Sequence, residues 1–144
     1  MTEMGELIPI LCERQRECQA RLENLLACKK LTFDNTLHSE LPELPGIYAI
    51  SATNTSEGIY LRAGRTKRAA GGLRQRIYGN HFMGNQDGNL RALLVRDRVC
   101  ADIEQAKLWV SRYCLVQFTV VQETELRMWA EYYMLSVLRP KYCD

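Results

Sequence analysis

A short polar turn between two strand-like segments constrains this chain more than any other feature. Gly46-Ile47-Tyr48-Ala49-Ile50 comes first. The turn Ala52-Thr53-Asn54-Thr55-Ser56-Glu57-Gly58 follows, and then Ile59-Tyr60-Leu61-Arg62-Ala63-Gly64-Arg65-Thr66. So short a connection cannot hold a crossover helix, so strands near 46–51 and 58–63 pair antiparallel as a hairpin. A third segment, Cys114-Leu115-Val116-Gln117-Phe118-Thr119-Val120-Val121, is rich in β-branched and aromatic residues. It reads as a strand that completes a three-stranded antiparallel sheet.

Helical spacing accounts for most of the rest. Leu11, Cys18, Leu22, Leu25 and Leu26 recur with helical period after Pro9, which suits a first turn, and predict a helix over about 9–30. Residues 33–45 hold Asp34, Asn35, Ser39, Pro42 and Pro45 and read as a loop. Gly71-Gly72 breaks the chain before a helix over about 73–79, and Gly79-Asn80, Gly84-Asn85 and Asp87-Gly88-Asn89 mark a loop. Segments 90–97 and 102–109 read as further helices. The last helix carries the apolar stripe Leu126, Trp129, Ala130, Tyr133, Met134, Val137 and Leu138. Thr124 is placed to cap its start, and Pro140 to end it. The expected fold class is α+β: a small three-stranded antiparallel sheet flanked by helices, with an added N-terminal helix. The expected organisation is an extension over 1–45 and a domain over 46–144.

Charge is nearly balanced, at +2 over 144 residues, but unevenly spread. From Arg62 to Arg76 there are six basic residues (Arg62, Arg65, Lys67, Arg68, Arg74 and Arg76) and no acidic one. Such a stretch fits phosphate binding, or else a solvated face. No apolar run is long enough to span a bilayer. The acidic start, with Glu3 and Glu6, differs from a basic export signal and predicts a cytoplasmic protein. The six cysteines form no CxxC pair and are expected as reduced thiols, not a disulfide framework or zinc site.

In order, the chain thus has Gly46-Ile47-Tyr48, then Arg62-Ala63-Gly64 with Arg65-Thr66, then Leu73-Arg74-Gln75-Arg76 with His81 beyond. It ends with Glu131 and Leu138-Arg139-Pro140-Lys141-Tyr142-Cys143. This series resembles the GIY-YIG nuclease family over about residues 44–143. The first half of the family name stands literally. In the second motif Arg62 replaces tyrosine, and in the terminal motif Cys143 replaces asparagine.

The resemblance implies a metal-dependent endonuclease acting on DNA. Glu131 would be the single metal ligand, since Mg2+ or Mn2+ can use one carboxylate and fill its shell with water and phosphate oxygens. Arg76 would clamp the phosphate and stabilise transition-state charge. Tyr48 would orient or deprotonate the attacking water. Arg62, Arg65, Lys67 and Arg74 would bind substrate. Arginine stays protonated, so Arg62 cannot be a base. Tyr60, on the same strand face two residues away, would need a bulge to substitute, and His81 is the other candidate.

The expected partner is DNA, branched or damaged forms included, with RNA as a further option and no membrane. A second reading keeps the scaffold as a nucleic-acid-binding module that has lost hydrolysis. A third makes the N-terminal helix a docking surface for a protein or a second copy of the chain.

Overall fold

The structure is a computed structural model that describes residues 3–54, 59–67, 70–84 and 88–142, with side chains from Gly5 onward. Residues 55–58 of the expected turn, Arg68, Asn85, Asp87 and Cys143 lie outside the described residues. The elements run α1 (Glu3–Ala27), β1 (Leu31–Thr32), α2 (Leu37–Glu40), β2 (Gly46–Ala52) and β3 (Tyr60–Arg65). A π-helix (Arg74–Phe82), α3 (Leu90–Arg96), α4 (Ile103–Tyr113), β4 (Cys114–Val120) and α5 (Thr124–Leu138) follow. The fold is α+β, an antiparallel sheet between helical layers.

The sheet has four strands in the order β1-β4-β2-β3, one more than the sequence suggests. The extra strand, β1, is two residues long and pairs with Val116 and Leu115 of β4. The hairpin β2–β3 forms as expected, and β4 pairs with β2 from Gly46↔Val120 to Ala52↔Cys114. Every residue of β2 is buried, because this strand is central and covered on both faces. Its alternation divides the interior in two. Tyr48, Ile50 and Ala52 pack with Leu73, Ile77 and Phe82 of the π-helix segment and with α3 and α4. Ile47 and Ala49 pack with Leu22 and Leu25 of α1 and Leu126, Ala130 and Met134 of α5.

Several sequence expectations shift. Helix α1 begins before Pro9 and runs through it. Proline lacks an N–H and its ring crowds the carbonyl four residues back, here at Gly5, on a stretch that is exposed on all sides. Residues 5–16 are exposed, whereas Cys18, Leu22 and Leu25 are buried, so only the second half of α1 covers the sheet. The second half of α1 and strand β1 pack into the same layers as the elements after Gly46. Thr124 lies inside α5, where Glu123 takes the N-cap position and makes no side-chain cap. Arg139, in the left-handed region at φ 47°, ends α5 before Pro140. Asn89 and Asp102 cap α3 and α4 by accepting from Ala92 N–H and Gln105 N–H.

After α5 the chain returns to the sheet. Lys141 N–H and Tyr142 N–H donate to the Tyr60 and Leu61 carbonyls, and Tyr142 Oη donates to Asp97 at 2.7 Å. Burial, and then Asp97, push the Tyr142 hydroxyl up to about 12. The tyrosine of the terminal motif is therefore a clasp between β3 and the end of α3. No helix among the described residues is long and apolar enough to cross a membrane.

Candidate active site

Gly46 fixes where the site begins. A Cβ on Gly46 would lie 2.2 Å from the Thr119 carbonyl oxygen, so only glycine lets β4 approach this closely. Gly46 also exchanges bonds with Thr66: its N–H donates to Thr66 Oγ1 at 3.1 Å, and Thr66 N–H donates to its carbonyl at 3.0 Å. The two ends of the hairpin are thereby locked together.

Tyr48, Arg76 and His81 form one network. Arg76 Nε–H donates to Tyr48 Oη at 3.2 Å, and His81 Nε2 stands 2.7 Å from the same oxygen. The tautomer follows from the other ring nitrogen. His81 Nδ1 accepts from Leu90 N–H at 3.2 Å, so the ring proton sits on Nε2 and is given to Tyr48. Burial first, then the charges of Arg76 and Arg62, hold the His81 pKa well below its ordinary 6.5, so the ring is neutral.

A helix irregularity makes this network possible. Arg76 and His81 are five residues apart. On a regular α-helix that spacing points two side chains about 140° from each other. Here the segment Arg74–Phe82 is π-helical, with Met83 N–H bonding to the Tyr78 carbonyl five residues back. The i to i+5 register brings Arg76 and His81 one turn apart and onto one oxygen. The family resemblance singled out both residues but gave no sign that they act together.

Access to the network is through Arg76. Tyr48 is 0% exposed and His81 1%, whereas Arg76 is half-buried. With no exposed surface, Tyr48 in this conformation would not meet the solvent water that its expected role calls for. Its hydroxyl holds Arg76 in place. His81 cannot be a base either, because one nitrogen carries the proton and the other is bonded to Leu90.

Tyr60 is also corrected. β3 does contain the bulge that substitution would need: Ile50 pairs with Arg62 but Ser51 with Tyr60, leaving Leu61 as the extra residue. The bulge works the other way. It turns Leu61 inward beside Tyr48 and sends Tyr60 to the layer of Ala63 and α5. Burial raises the Tyr60 pKa, which also disfavours a base. Arg62 keeps the Tyr48 side of the sheet, 6% exposed, and its charge is felt at His81.

Glu131 stands on the opposite side of the sheet, on α5, and is 3% exposed. Its Oε1 accepts a short hydrogen bond and ion pair from Arg65. Its Oε2 is buried with no hydrogen-bond partner among the described residues. Arg127, one turn earlier on α5, does not take Glu131 as its bonded partner. Its Nε–H donates to the Thr66 carbonyl, and its Nη1 donates to the Val121 and Gln122 carbonyls. Burial first, then Arg65, lowers the Arg127 pKa. Sequence reasoning missed this role. The signal was present in the stripe itself, since Arg127 and Glu131 fall in line with Ala130 and Met134 at spacings of three and four.

The remaining basic residues divide. Lys67 is exposed. Arg74 is used structurally, donating to the Leu41 carbonyl at 2.9 Å and pairing with Glu43. Among the described residues no three His, Cys, Asp or Glu side chains are grouped to hold a metal. A metal here would rest on Glu131 alone. The orphaned Oε2 fits that use, since a buried carboxylate oxygen normally has a partner.

No family model, curated protein or solved structure matches this chain.

Proposed function

We propose that this protein is a metal-dependent endonuclease hydrolysing DNA phosphodiester bonds, a divergent relative of the GIY-YIG nucleases. The observation that carries this reading is the convergence of Arg76 and His81 on Tyr48. The tyrosine of the first motif and the arginine of the helix after the hairpin belong to one bonded unit, as a shared role in one site requires.

In this reading Arg76 is the phosphate-facing residue, preorganised by Tyr48, and Tyr48 is in turn oriented by His81. Arg65 and Lys67 add positive charge along the path of the backbone. Glu131 would hold Mg2+ or Mn2+ through Oε2. When bound, such an ion polarises a phosphoryl oxygen and lowers the pKa of a coordinated water. Arg62, Tyr60 and His81 do not qualify as general base, a loss that typically lowers the rate by about 10²–10⁴.

A specific observation favours a second reading, a nucleic-acid-binding module with impaired catalysis. Arg62 fills the second tyrosine position, and the sheet places Glu131 and Tyr48 on opposite faces. One experiment separates the two. Supercoiled plasmid and a four-way DNA junction are incubated with Mg2+ or Mn2+ and wild type, Glu131→Gln or wild type plus EDTA. Cleavage that needs metal and disappears with Glu131→Gln establishes the nuclease. Salt-sensitive binding without cleavage, unchanged in Glu131→Gln, selects the binding module. Neither cleavage nor binding removes both.

A further inference from the structure

Glu131 is an anion with almost no exposed surface, and such a group needs a positive partner. Arg65 supplies it, but the pair is uneven. The Glu131 side chain is 4% exposed and the Arg65 side chain 19%. Arg65 is thus the outer member, and its guanidinium also lies 5.7 Å from the ring centre of Tyr132, an exposed residue of the same helix. That ring offers the cation a seat at the surface independent of the carboxylate. Arg127, behind it, is committed to three backbone carbonyls. The carboxylate keeps one oxygen bonded to Arg65 and the other buried and unbonded among the described residues. Most buried carboxylate oxygens have a partner, so the unbonded Oε2 leaves room for a ligand.

We propose that Arg65 is a removable counterion: it neutralises Glu131 in the free protein and leaves the carboxylate when a divalent cation enters, passing to a nucleic-acid phosphate. The inference rests on the reading of Glu131 as the metal ligand. Its physical basis is charge. With Arg65 in place, an entering dication meets a site that is already neutral, with Arg127 close by. Like charges at such distances in a partly buried site oppose each other strongly. The phosphate supplies the missing negative charge and takes up the released guanidinium, so metal and nucleic acid bind cooperatively.

The test is a titration of the 144-residue chain with Mn2+ alone, free Mn2+ being read by electron paramagnetic resonance. Wild type, Arg65→Gln, Arg65→Lys, Glu131→Gln and the Arg65→Gln/Glu131→Gln double variant are compared, each checked for folding by circular dichroism. Arg65→Gln is expected to bind Mn2+ about tenfold or more tightly than wild type. Arg65→Lys, which keeps the charge, should stay near wild type, and both Glu131→Gln variants should lose the site. Adding a short DNA duplex should tighten Mn2+ binding to wild type more than to Arg65→Gln. Glu131-dependent binding that Arg65→Gln leaves unchanged or weakens overturns the counterion role while the metal reading stands. Absence of Glu131-dependent binding in every variant, with and without duplex, overturns both. If Arg65→Gln does not fold, the Lys variant carries the test, and tighter binding by Arg65→Lys overturns the proposal.

Discussion

One phenolic oxygen receives two N–H donors, from Arg76 and His81, in a place with no exposed surface. Tyr48→Phe removes that acceptor and leaves both donors without their bond. We expect a loss of about 2 kcal/mol in urea unfolding, against well under 1 kcal/mol for Tyr132→Phe at an exposed position. Equal small effects would mean that the network contributes little. His81 makes a pH prediction whose sign is fixed. Its folded pKa is held well below 6.5, so below about 6.5 the unfolded chain binds a proton that the folded chain does not. The stabilising contribution is complete above the unfolded value and is lost as pH falls through the window beneath it. The urea midpoint should therefore fall between pH 7 and 5.5, as the unfolding free energy declines with a limiting slope of about 1.4 kcal/mol per pH unit. His38→Gln, at the exposed second histidine, should leave that slope intact, and a flat profile would contradict the buried neutral ring.

At the level of elements, local signals were readable and long-range ones were not. The hairpin follows from a turn too short for any other connection, and α5 from a stripe repeated over four turns. The breaks at Gly71 and Gly72 follow from residues that tolerate positive φ, which both adopt at 80° and 52°. Strand β1 depends on Leu31 meeting Val116, eighty-five positions away, and two residues carry no periodicity. The bulge at Leu61 and the π register at Arg74–Phe82 likewise answer to partners across the core, so the sequence places Tyr60, Arg76 and His81 near the site without orienting them. Gly46 shows the same dependence from the other side, since its motif was visible but its reason lies in β4. Gly46→Ala should cost about 3 kcal/mol or more in equilibrium unfolding, because the new methyl meets a carbonyl at 2.2 Å. Gly88→Ala should cost only about 1 kcal/mol, as Gly88 has positive φ but nothing within 4 Å of a Cβ. The reverse order would argue against the close approach of β2 and β4.

Across the whole molecule, the sheet is a partition. Tyr48, Arg76, His81 and Arg62 belong to one layer, and Glu131, Arg65 and Arg127 to the other, with β3 as the edge strand on which Arg62 and Arg65 both stand. Lys141 and Tyr142 cover the edge at Tyr60–Arg62, so a nucleic acid that used both layers would pass the Arg65 end of β3, where the exposed Lys67 continues the line. Such binding is governed by phosphate neutralisation, so log K should fall linearly with log salt, with a slope near −0.9 for each phosphate contact on duplex DNA. Lys67→Ala and Arg76→Ala should each make the slope shallower by about 1 and weaken binding similarly on unrelated sequences. Arg74→Ala should not change it, because that guanidinium already serves Leu41 and Glu43. Fluorescence anisotropy with a labelled duplex over a salt series measures all four proteins alike. If Arg74→Ala changed the slope as much as Lys67→Ala, Arg74 would be a phosphate contact, and its bonds to Leu41 and Glu43 would give way in the complex. If no variant changed it, the basic stretch would be a solvated face and the phosphate reading would lose its support.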